Sequence, residues 1–212
     1  MRARTLLVFL GVLALSPAAS FARTRHPSVP LSQCPPEGDA RVGRVRELNR
    51  LKRRMETPAV SDIATNVSLS AMLAPGDDRD RWDSSKAGTL TGYVADVKLG
   101  GVESVNCHAR SAINRDSHID LVLSGSDTYN EARHVIVEIT PQWRRKMTMQ
   151  GVDWSTSALR KQLLGRKVQV TGWLLFDGEH AGTSANTARL GANVWRATAW
   201  ELHPITELRL AP

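Results

Sequence analysis

From residue 88 onward the apolar residues fall in short runs at strand spacing, interrupted by a single helix signal, and this order constrains the fold most. Leu90 to Leu99 (LTGYVADVKL) predicts a first strand, and Gly100-Gly101 follows as a turn or bulge. His118 to Leu123 alternates, with Ile119, Leu121 and Leu123 on one face and His118, Asp120 and Val122 on the other. Val135, Val137 and Ile139 mark a third strand, ended by Pro141. Residues 142–156 read as a long loop. Ser155 or Thr156 caps a short helix, Ser157 to Leu164, which Gly165 stops. Lys167 to Asp177 (KVQVTGWLLFD) is a fourth strand. A polar loop, 178–194, precedes Trp195 to Leu202, and Ile205 to Leu210 continues beyond a kink at His203-Pro204.

The resulting order, β-β-β-α-β-β, resembles the OB-fold, a five-stranded Greek-key barrel with a helix between its third and fourth strands. LTGYVADV and LLGRKVQVTGWL are similar to its first and fourth strands, where a glycine lets a strand bend around a small barrel. The resemblance spans residues 88–212 and implies a mainly β domain. The expected core is Val94, Val97, Ile119, Leu121, Leu123, Val135, Val137, Ile139, Leu163, Val168, Val170, Leu174 and either Trp195 or Trp200. The whole chain also resembles bacterial exported proteins.

The N-terminus agrees with export. Arg2 and Arg4 precede an apolar stretch, Leu6 to Leu15, and Pro17 and small residues up to Ala22 follow, so residues 1–22 read as a signal peptide. The rival reading is an uncleaved anchor. Nothing later has the run of about 18 apolar residues that a transmembrane helix needs. The expected location is therefore periplasmic or secreted. In that oxidising space Cys34 and Cys107 are expected to form a disulfide, against a rival reading of two free thiols. Two cysteines also exclude a disulfide-rich miniprotein and a four-cysteine zinc site.

Between signal and barrel, residues 23–38 form a Pro-rich arm, 39–56 a basic helix and 57–87 a linker. The formal charge of +7 is unevenly spread. Residues 40–56 hold seven Arg or Lys and two Glu, as much net charge as the chain beyond residue 22 carries in total. Val42, Val45, Leu48, Leu51 and Met55 make an apolar stripe, with Asp39 as N-cap. The stripe predicts packing on the barrel with a solvated basic face; the alternative is contact with an anionic surface.

OB-fold barrels often bind oligonucleotides or oligosaccharides across strands two and three. Here those two runs contain no Phe, Tyr or Trp, and residues 88–212 carry 14 basic and 12 acidic residues. Both features disfavour nucleic acid. The expected function is non-catalytic binding of an envelope component, a polysaccharide or protein, with no cofactor. The expected contact surface is Trp143, Arg144, Arg145 and Trp154, aided by the basic helix, with packing in the core or loop as the rival reading of Trp143. The alternative is a metal-assisted hydrolase. Nucleases of the staphylococcal type are calcium-dependent OB enzymes with strand carboxylates, and Asp116, His118, Asp120 and Glu138 are the comparable set here. A transition-metal site is the other chemical possibility, with Cys107, His108, His118, His180 and His203 as candidate ligands and Glu179 beside His180. None shows the spacing of a zinc motif, and His203 reads as a side chain at the kink. No third group orients a Cys–His pair for nucleophilic catalysis.

Overall fold

Small and β-branched residues alternate along the longest strand, β1 (Ala87–Leu99), and allow it to bend between two neighbours. Its first half pairs with β4 (Lys167–Phe176) and its second half with β2 (Ser117–Val122). The register shifts between Val94 and Asp96, where the bulge turns the strand. β3 (Val135–Ile139) follows β2 antiparallel, and β5 (Trp200–Leu210) lies against β4. A parallel pair, Val137 with Leu202, joins β3 to β5 and closes the barrel in the order β1-β2-β3-β5-β4. The computed structural model describes residues 30–212. The expected signal segment and residues 23–29 lie outside that range. The architecture is mainly β and consistent with the expected OB-like barrel.

Alternation decides the interior. Leu90, Val94, Val97, Ile119, Leu121, Val135, Val137, Ile139, Val168, Val170, Leu174 and Leu202 are at most 2% exposed. Leu123 is a correction: β2 ends at Val122, so Leu123 leaves the barrel and is 45% exposed. Of the two candidate tryptophans, Trp200 enters the core. β4 comes so close to β5 that a Cβ at Gly172 would sit 2.5 Å from the Pro204 carbonyl oxygen. Only glycine fits there without movement.

Outside the barrel, α1 (Gly43–Lys52) is shorter than the expected 39–56, and Val42 is its N-cap. Asp39 turns instead to His108 Nδ1, at 2.8 Å. The helix also buries a different face from the one expected. Val42 and Met55 are exposed, while Asn49 and Lys52 are buried. Asn49 Nδ2 donates to Glu37 O and Ser104 Oγ, at 2.8 and 3.0 Å. Beyond α1, Arg54 donates to Ser84 O and Leu174 O and lies over the Trp173 ring. Burial lowers its pKa to about 10. Residues 57–87, expected as a linker, carry the short α2 (Leu69–Met72) and add Val67, Leu69, Met72 and Leu73 to the core.

Residues 142–156 are corrected too. α3 (Pro141–Met149) occupies most of them, with Thr140 Oγ1 accepting from Trp143 N and Pro141 in the first turn. Pro141 ends a strand and also starts a helix, and the second role was not read. α4 (Thr156–Leu163) follows with Ser155 as cap, and Leu159 and Leu163 enter the core. Among the described residues no helix is long and apolar enough to cross a membrane.

The Cys34–Cys107 disulfide is formed and buried, and it ties the arm to the loop before β2. A disulfide is compatible with an oxidising environment. The bridge spans 73 residues, and its loop-closure entropy is worth about 4 kcal/mol. Replacing both cysteines by serine should lower the urea unfolding free energy by roughly that amount. A loss below about 1 kcal/mol would show that the arm is held by other contacts.

Candidate charged cleft

Period-two alternation puts Ile119, Val137 and Leu202 inside the barrel and their neighbours outside. His118 stands directly across from Glu138 in the β2–β3 register, and Asp120 across from Ile136. The Val137–Leu202 pair brings Glu201 and His203 of β5 alongside Glu138. This outer face is not solvated: His118, Asp120, Glu138, Glu201 and His203 are all buried. The N-terminal segments and the 178–199 loop cover it, leaving a cleft of about 1270 Å³. Lys52, Glu103, His118, Glu138, Asp177 and Trp195 line that cleft.

His118 sits between two carboxylates. Its Nδ1 is 3.0 Å from Glu138 Oε1, and its Nε2 is 2.8 Å from Asp120 Oδ1, the latter not aligned as a hydrogen bond. Burial opposes the charge on the imidazole, but the two carboxylates outweigh it and push the pKa up to about 9. Burial would likewise raise both acids, yet Glu138 falls to about 2 and Asp120 lies well below the usual range, because His118 holds each of them. Lys98 Nζ and His134 Nδ1 add to Asp120 at 2.9 and 3.2 Å. The rings of His118 and His180 flank Trp195, at centroid distances of 6.0 and 5.3 Å.

A second group lies deeper. His203 Nε2 is 3.9 Å from Asp116 Oδ2, and His203 Nδ1 is 3.5 Å from Glu138 Oε2 and 3.6 Å from Glu201 Oε1. Burial pushes the Asp116 carboxyl up to about 7. On the covering side, Lys52 Nζ meets Glu103 Oε2 at 2.9 Å and Asp177 Oδ2 at 3.6 Å. Burial disfavours the ammonium, but the surrounding carboxylates win and hold its pKa well above normal.

Of the set expected for a hydrolase, the structure brings His118, Asp120 and Glu138 together and places Asp116 in the deeper group, with Glu138 shared between the two. It does not offer them as a calcium site. Calcium takes six to eight oxygens, whereas Asp120 is engaged by three cations and Glu138 by His118. The residues expected as a binding surface are mostly not at the surface. Trp143, Arg144 and Trp154 are buried, and Arg145 is exposed. Trp143 Nε1 donates to Arg54 O at 2.9 Å. Arg144 donates to the carbonyls of Ala112, Ile113 and Arg115 and to Ser117 Oγ. These side chains hold the fold together. Trp195, expected in a strand, lies in the loop before β5 and faces the cleft instead.

Sequence reasoning missed Lys52, Glu103, Asp177 and Glu201, and set aside His203 as a side chain at the kink; the last two flank Leu202 on β5. The E-L-H alternation around Leu202 carried a signal for the last two, hidden by reading Pro204 as a break.

His134 gives a test by pH. Burial lowers its pKa, but Asp120 and the Thr128 carbonyl outweigh burial and raise it above the ordinary 6.5. The pair's contribution to stability is therefore complete below about pH 6.5 and is lost as pH rises through the raised value. Urea unfolding from pH 5.5 to 9 should show an alkaline decline that His134→Gln reduces. Identical profiles for the two proteins would contradict the pairing. Compared with models of known protein families the chain matches none, and no curated protein matches it either.

Proposed function

We propose that the protein is an exported, non-catalytic binding barrel whose ligand, an envelope polysaccharide or protein, docks in the cleft over β2, β3 and β5. The observation that carries the proposal is the cleft itself, about 1270 Å³, with a half-buried Trp195 on its wall and paired charges on its floor. Ligand sites combine apolar or aromatic wall area with a few placed polar groups. Trp195 offers a flat face and an N–H donor, and Lys52, His118 and Glu138 offer both signs of charge. Between polysaccharide and protein, the cleft favours a polysaccharide segment, because one aromatic face surrounded by hydrogen-bonding groups suits a sugar ring.

The competing hydrolase reading asks His118 for a free lone pair. With its pKa near 9 and both nitrogens facing carboxylates, His118 holds its proton at neutral pH. Chelator-sensitive turnover of a phosphodiester would nevertheless favour hydrolysis over binding.

Calorimetric titration of the protein with solubilised envelope polysaccharides is the direct test. Trp195→Ala should weaken binding at least tenfold, about 1.4 kcal/mol, while Arg145→Ala leaves it unchanged. Equal affinity of the Trp195→Ala variant and the parent protein would exclude the cleft as the site.

A further inference from the structure

Asp116, Glu138 and His203 each offer a ligand-type atom, and the three atoms lie within 4.8 Å of one another. They arrive from three places: the residue before β2, the end of β3 and the first half of β5. Their exposures are 2, 6 and 0%. The bonds missing among them distinguish this cluster from a chance gathering of acids. Among the described residues, neither ring nitrogen of His203 makes a hydrogen bond, and neither does Glu138 Oε2.

The carboxylates are also oriented. Asp116 Oδ1 accepts from Asn106 Nδ2 at 3.2 Å, and its Oδ2 is turned to His203. Glu138 Oε1 faces His118, and its Oε2 is turned to His203. Glu201 repeats the pattern, with Oε2 near Arg196 and Oε1 unbonded toward the same ring. One oxygen of each acid is held by a neighbour while the other is left free. Neighbours that hold ligands in this way are a regular feature of metal sites. The separations of 3.5 and 3.9 Å exceed a good hydrogen bond. They are measured to different ring nitrogens, so an ion on one nitrogen has one carboxylate near the spacing of two ligands on one ion, about 3 to 3.5 Å when each bond is near 2.1 Å. It draws the other carboxylate in from within the 4.8 Å cluster.

We propose that Asp116, Glu138 and His203 form a site for one divalent transition-metal ion of the zinc class. Two carboxylates balance the ion's charge. The imidazole favours zinc, manganese or iron over calcium and magnesium. The ion takes one ring nitrogen of His203 and leaves the other facing a carboxylate, which fixes the tautomer. Glu138 also lines the cleft and gives the ion its way in. The inference does not rest on what the cleft binds, because metal content is read without any cleft ligand.

The test uses the full chain without a histidine tag, stripped with EDTA and confirmed folded by circular dichroism. It is titrated with Co²⁺ by visible absorbance and with Zn²⁺ by calorimetry. The expected result is one equivalent of either ion, with Zn²⁺ displacing Co²⁺ and bleaching its bands. Asp116→Asn and Glu138→Gln should each weaken Zn²⁺ binding at least tenfold, while His108→Gln at the surface leaves it unchanged. A folded parent protein that binds neither ion overturns the site. So does binding that survives both isosteric substitutions, which is adventitious. If either variant fails to fold, the imidazole NMR signals of the parent protein decide. Loss or shift of the His203 signal at one equivalent of Zn²⁺ supports the site, and an unmoved signal overturns it.

Discussion

Charge buried on the outside of a barrel needs a partner for each group, and this requirement organises the covering segments. An isolated ion removed from water costs far more than ordinary packing returns. The outer face of β2, β3 and β5 carries His118, Asp120, Glu138, Glu201 and His203 in buried positions. His134, the residue before β3, meets Asp120, and Arg196, from the loop before β5, meets Glu201, while Lys52 of α1 meets Glu103 and Asp177 on the covering side. The N-terminal helix docks by this polar face, through Asn49 and Lys52, and its apolar stripe is left largely at the rim.

The closing pair of the barrel sets which side chains meet. Because Val137 lies beside Leu202 in parallel, Glu138 comes next to both Glu201 and His203. A register slip of one residue would send those groups into the core and the core residues outward. The disulfide acts on the other side of the same face, holding the arm near Glu103 and Asn106, which in turn touch Lys52 and Asp116. Fold closure, covalent bridge and charge pairing thus converge on one face. The basic helix is correspondingly less free than its composition implies. Arg46 and Arg50 face Glu37 and Glu47, and Arg53 and Arg54 turn to backbone carbonyls.

The barrel was legible in the sequence because alternation is a local property. KVQVTGWLLF reads as β4 without knowledge of its neighbours, and Ser155 and Gly165 bracket α4 by their capping chemistry. The Cys34–Cys107 pair followed from compartment and count. Alternation says which residues face outward, but not whether outward means solvent. His118 and Asp120 were assigned correctly to the outer face, yet their burial depends on segments far along the chain. Lys52 was hidden in a run of cations and identified only by Glu103 and Asp177, 51 and 125 positions away. Trp143 and Arg144 could be read either way, because an aromatic among arginines suggests a surface and a tryptophan also suggests packing; here Trp143 packs and Arg144 satisfies loop carbonyls.

The central claim is that buried charge pairing, rather than apolar packing, fastens the N-terminal helix over this face. A double-mutant cycle on Lys52→Met and Asp177→Asn, read by urea unfolding, measures it directly. Each single change should destabilise the protein, and the double variant should recover part of the loss, with a coupling of at least about 1 kcal/mol. Additive losses, with coupling near zero, would contradict charge pairing as the fastening.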